Sequence, residues 1–142
     1  MEQPPQSQRN EDEERGPPIV LHARPYREGG KTVWGLDFNP DPPRHAKAEI
    51  DLRDEPPGQR IIFHLVKSPG IRFNTLGPIW VVENGPCPPP QDSSHSQIRV
   101  EHCNDHMLQI FNSNNKRCDL VYQLNFIGVD EQLDPMIRNG GT

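Results

Sequence analysis

The densest run of chemically active side chains in the sequence is Glu101-His102-Cys103-Asn104-Asp105-His106-Met107. Thiolate, imidazole and thioether are the donors that soft and borderline metals select. A copper site of the electron-transfer type needs two His, one Cys and a long axial Met. Cys103 and His106 have a workable spacing for it, and His64 supplies the distant imidazole. The order of the residues argues against copper. Met107 directly follows His106, so on a strand the two side chains take opposite faces. A full strand, Cys118 to Phe126, also follows the run. A zinc site would draw on two of Cys87, Cys103 and Cys118 with His102 or His106. Structural zinc favours two pairs of closely spaced ligands, and only Cys103 and His106 form one. The candidate set for either metal is Cys103, His106, His64 and Cys118.

The same groups pose an enzymatic alternative, with Cys103 as nucleophile and His106 or His64 as its base. That chemistry needs an activated thiolate and an oxyanion hole. No Gly-rich nucleophile turn accompanies any Cys, and neither a phosphate-binding GxxxxGK nor a GxGxxG pattern occurs. The acidic pairs, Asp51 with Asp54 and Asp130 with Glu131 and Asp134, read as solvated turn residues whose side chains bond nearby amides. The plainer reading outweighs all of these. Cys118 is then a small core residue and the His residues belong to surface turns. No cofactor is expected, with zinc or copper as the alternatives, and an enzyme is the less favoured class.

The elements that must position these residues read as strands. Ile19 to Ala23 is apolar between Pro18 and Pro25. Thr32 to Phe38 alternates, with Trp34, Leu36 and Phe38 on one face. Between them Glu28-Gly29-Gly30-Lys31 is a turn. His45 to Leu52 alternates more weakly. Arg60 to Lys67 carries apolar residues on both faces, as a central strand does. Ile71 to Thr75, Pro78 to Glu83, Ile98 to Cys103 and Met107 to Phe111 follow. In Cys118 to Phe126, Cys118, Leu120, Tyr122, Leu124 and Phe126 point one way, and the other face is expected to meet solvent. Asp134 to Gly141 reads as a docked tail or a short final strand. No helical period appears between the strands. The expected fold is all-β, an immunoglobulin-like β-sandwich of about eight short strands. Asp119-x-x-Tyr122 resembles the tyrosine corner of such domains.

The 142 residues include 17 Pro and only 32% hydrophobic residues, which suits one domain of short, turn-punctuated elements. Residues 1–18 are polar, with five acids against two arginines, and are expected to be a disordered acidic tail. The single domain is expected over residues 19–142. Net charge is -5 and no basic stripe is present, which argues against nucleic acid as a partner. No run approaches the roughly 20 apolar residues of a membrane span. Three Cys and no apolar leader point to the cytoplasm. What remains is a non-catalytic binding or assembly module for a protein or peptide. The stiff loop from Asn84 to Ser96 is its expected contact surface, with Pro88, Pro89, Pro90 and Trp80 as contact residues. An unpaired edge strand would allow self-association.

One resemblance bears on the fold. In Leu108 to Gly140, an aromatic-bearing strand (Tyr122, Leu124, Phe126) precedes Asp134-Pro135, the apolar pair Met136-Ile137 and Asn139-Gly140. This pattern resembles the C-terminal part of small uncharacterised bacterial β-sandwich proteins. The resemblance implies a fold class and a bacterial setting, and carries no activity.

Overall fold

The computed structural model describes residues 18–39, 49–66, 69–130, 132–133 and 136–140. The expected tail, apart from Pro18, lies outside them, as does residue 45 to residue 48 of the weakly alternating stretch. The described residues form strands and no helix: β1 (Ile19–Glu28), β2 (Lys31–Asn39), β3 (Glu49–Leu52), β4 (Gln59–Leu65), β5 (Arg72–Phe73), β6 (Ile79–Glu83), β7 (Ile98–Asn104), β8 (Met107–Asn112), β9 (Cys118–Leu124), β10 (Phe126–Ile127) and β11 (Met136–Asn139). Among them no helix is long and apolar enough to cross a membrane.

The strands make three open sheets: a five-stranded sheet in the order β2-β1-β4-β8-β7, a four-stranded sheet in the order β3-β11-β9-β6, and a two-stranded ribbon of β10 and β5. The β1–β4 and β11–β3 pairs are parallel; the rest are antiparallel. The β1–β2 hairpin closes through Gly29 and Gly30, both at positive φ, which a two-residue turn matched to strand twist requires. Pro25 lies inside β1 rather than beyond it. Past Ala23, β1 pairs only with β2, so the missing N–H faces no second neighbour.

The inner faces of the two larger sheets share one core. Leu21, Ile61, Phe63, Leu108 and Ile110 come from the first, and Leu120, Tyr122, Leu124 and Ile137 from the second. Phe63 meets Tyr122 across it, with ring centroids 6.0 Å apart. β4 is central, as its two apolar faces suggest: Ile61, Phe63 and Leu65 are buried, and Ile62, His64 and Val66 half-buried. In β9 the expectation of a solvent face fails. Val121 and Gln123 are buried as well. β9 also stops at Leu124, short of the expected Phe126, because the Asn125 backbone and side chain bond elsewhere. Its N–H donates to the Pro78 carbonyl (2.8 Å), its carbonyl accepts from Asn74 (2.9 Å) and its Nδ2 donates to the Gly77 carbonyl (2.9 Å). Phe126 thus begins β10 and stacks on Trp34, 4.4 Å between centroids. With this break and β11 the strands number eleven among the described residues, against about eight expected.

The two sheets are also tied by hydrogen bonds. Asn112 of β8 and Asn139 of β11, both buried, exchange side-chain amide bonds: Asn112 Nδ2 donates to Asn139 Oδ1 (2.8 Å) and Asn139 Nδ2 to Asn112 Oδ1 (2.9 Å). The second Asn139 hydrogen reaches Gln97 Oε1 (3.2 Å). Beside the pair, buried Asn114 donates through Nδ2 to the carbonyls of Leu52, Glu55 and Pro56, and its Oδ1 accepts the Gly140 N–H (2.9 Å). A Cβ at Gly140 would collide with the Arg53 backbone. The Asn-Gly dipeptide therefore combines a buried amide with the one residue type that fits behind it.

Removing either partner strands buried polar groups, each costing about 1–3 kcal/mol. Asn112→Ala and Asn139→Ala are each expected to lose about 2–4 kcal/mol, and the double variant clearly less than the sum. Chemical denaturation of the four proteins checks this. The Tyr122 hydroxyl is the converse case. It is buried with no hydrogen-bond partner, so the tyrosine-corner bond suggested by Asp119-x-x-Tyr122 is not made. Tyr122→Phe removes an uncompensated polar group, and stability is expected to hold or rise by about 1 kcal/mol in the same assay.

Candidate functional site

The Cys/His run folds into the β7–β8 hairpin. Asp105 and His106 form its two-residue turn, and Asn104 Oδ1 accepts the His106 N–H (2.9 Å), a local bond that favours this bend. Register then decides what each side chain meets. His64 pairs with Met107, and Met107 with Asn104, on the outer face of the five-stranded sheet. His64, Asn104, Asp105, His106 and Met107 line an open basin of about 690 Å³. His22, not singled out in the sequence, stacks on His64 across the parallel β1–β4 pair, with centroids 5.7 Å apart. Only that parallel register brings it there, and no local pattern announces it.

The thiols lie elsewhere. Cys103 pairs with fully buried Leu108 and packs against the core, on the face opposite His64. Cys118 pairs with Asn139, beside the Asn112 end of β8, whereas Cys103 lies at the Met107 end. Five strand residues separate those ends, about 17 Å. Of the four candidate ligands, His64 and His106 share a basin, and Cys103 and Cys118 join neither it nor each other. Among the described residues no three His, Cys, Asp or Glu side chains are grouped to hold a metal ion. Burial raises the pKa of both thiols, and the Asp105 charge adds to this at Cys103. Both therefore stay protonated at neutral pH, the reverse of an activated nucleophile.

The proline loop, residues 84–96, is held at several points. The Val81 N–H donates to the Ser93 carbonyl (3.1 Å), so the loop covers the free side of β6. Asn84 N–H donates to the Asp119 carbonyl (2.9 Å) and Ser93 N–H to the Pro90 carbonyl (3.1 Å). Gly85-Pro86 and Cys87-Pro88 are cis. His95 closes the loop. Its Nδ1 accepts the Gln97 N–H (3.1 Å), so Nε2 carries the hydrogen and donates to Glu83 Oε1 (2.9 Å). Lys116 Nζ reaches the same oxygen at 3.1 Å. Pro88 and Pro90 are exposed and Trp80 is half-buried. Pro89 is buried, so it anchors the loop instead of offering a contact as expected.

A scan of protein-family models finds none that matches the chain, and a search of curated proteins finds no match either.

The His95 hydrogen bond, then Lys116, hold the Glu83 carboxyl below its ordinary value of 4.5. A depressed acid stabilises the fold above its unfolded pKa, and that contribution is lost as pH falls through the folded value. Glu83→Gln is therefore expected to melt below the parent near pH 7, with the two curves converging below about pH 4. Thermal melts across this range check it.

Proposed function

We propose that the chain is a non-catalytic binding module, an immunoglobulin-like β-sandwich that presents its proline loop to a protein or peptide partner. The observation that carries this is the combination of a pinned loop with an exposed crest. Backbone bonds from Val81 and Asn84 and the His95–Glu83 contact fix the base. Pro86, Cys87, Pro88 and Pro90 project into solvent. A loop already ordered loses little entropy on binding, and proline side chains add almost none. Half-buried Trp80, on β6 next to the Val81 that holds the loop, extends the contact surface.

Two features support the sandwich reading. The larger sheets bury their inner faces in a common core. Asn139, in the Asn-Gly pattern by which the chain resembles small uncharacterised bacterial β-sandwich proteins, ties the last strand to the opposite sheet. The protonated state of Cys103 and Cys118 favours binding over thiol catalysis. The free edge at β7 is poorly suited to strand addition, since a register shift between Val100 and His102 interrupts it.

A photo-crosslinker placed at position 88 or 90 of the full chain, in extracts of its source cells, tests the reading. A discrete adduct is expected from these positions and not from exposed position 72. Equal adducts from all three, or none from the loop, would overturn it.

A further inference from the structure

We infer that Asn84 is a site of spontaneous covalent modification, converted in the folded chain to aspartate and isoaspartate with loss of ammonia. An Asn followed by Gly is the dipeptide most open to this chemistry, because glycine puts no side chain in the way of ring closure. The chain holds two such steps, Asn84-Gly85 and Asn139-Gly140. The fold treats them in opposite ways. Asn139 is buried, and its amide is taken by Asn112 and Gln97. Gly140 N, the atom that would attack, donates to Asn114 Oδ1 (2.9 Å). Asn84 is exposed, and its side chain makes no hydrogen bond with any described residue. Its own N–H is held by the Asp119 carbonyl (2.9 Å), which fixes the peptide before it, but Gly85 N–H has no such bond to a described residue. A Cβ at Gly85 would meet no atom within 4 Å, so solvent reaches this peptide.

Asn84 also stands at φ 62°, a left-handed conformation that strains any residue with a Cβ. The rotation that brings Gly85 N toward Asn84 Cγ therefore leaves a strained backbone rather than a relaxed one. Solvent base removes the Gly85 N–H proton, and the nitrogen attacks Cγ. The N–Cγ bond forms, the Cγ–Nδ2 bond breaks, and Nδ2 takes up a proton and leaves as ammonia. The cyclic imide then adds one water. Opening at Cγ gives aspartate. Opening at the main-chain carbonyl carbon gives isoaspartate, in which the chain runs through the former side chain. The sum is amide plus water to carboxylic acid plus ammonia, with no oxidant or reductant. The product sets a second carboxylate beside Glu83, where β6 passes into the proline loop. The inference does not rest on what that loop binds.

The test holds the native full chain at mildly alkaline and at mildly acidic pH and follows each Asn-Gly peptide by mass mapping. Enzymatic methylation of isoaspartate is the second readout, and a parallel sample is kept unfolded in urea. In the native chain the Asn84 peptide is expected to gain the mass of an amide-to-acid change, faster at the higher pH, with isoaspartate present. The Asn139 peptide is expected to react at least about tenfold more slowly, because its buried amides must first open. In urea the two are expected to react at similar rates, which assigns the difference to the fold. Asn84→Gln is expected to abolish the isoaspartate of the native chain, since the larger ring closes more slowly. An Asn84 peptide that reacts in urea yet stays unmodified in the native chain, native Asn84 and Asn139 reacting alike, or native-chain isoaspartate that survives Asn84→Gln would overturn the inference.

Discussion

The reciprocal amide pair between Asn112 and Asn139 is the constraint on which the rest of the structure depends. Apolar burial pulls the two large sheets together but is non-directional, and tolerates many registers between them. An amide pair does not. Both side chains are buried, and each has its donors and acceptors taken only when β8 and β11 sit in one relative position. Any slip leaves amides unpaired in a low-dielectric interior, where the penalty is greatest. The pair also propagates outward. Asn139 reaches Gln97, whose backbone N–H sets the His95 tautomer and with it the base of the proline loop. Asn114 N–H donates to Asn112 Oδ1, and Asn114 in turn holds the turn after β3 through three carbonyls.

This constraint is what the sequence conceals best. An Asn in Asn112-Ser113-Asn114-Asn115 looks like any hairpin-loop residue, and Asn139-Gly140 like any turn. Local sequence cannot distinguish an Asn bonding its own backbone from one bonding a strand 27 residues away. What was legible had a local cause. Alternation in β4 reported a central strand, and Gly29-Gly30 reported the hairpin. Alternation in β9 found the inward face correctly, with Leu120, Tyr122 and Leu124 all buried. It misjudged the outward face, because cover over Val121 and Gln123 comes from other parts of the chain. The parallel β1–β4 and β3–β11 pairings have no local signature either. For that reason nothing local in the sequence places His22 beside His64.

The Cys/His run shows how strand geometry disperses what composition concentrates. Seven consecutive residues, Glu101 to Met107, hold nearly every donor type a metal or nucleophile site needs. On a hairpin, neighbours point to opposite faces. Cys103 goes inward against Leu108, while His64 and Met107 lie outward. Burial of the thiol then raises its pKa, which disfavours the thiolate that a nucleophile or a metal ligand needs. Sequence density is evidence of a site only when spacing and period agree, and here the period of two separates the members.

Glu83 is the charge on which the proline loop closes. Its Oε1 accepts from His95 Nε2–H, which fastens the loop, and from Lys116, which stands just before β9. The Gln97 N–H fixes which nitrogen of His95 faces Glu83, so the amide network reaches this carboxylate through one imidazole. Two donors on one oxygen favour the ionised carboxylate, which is the form that holds the base of the loop.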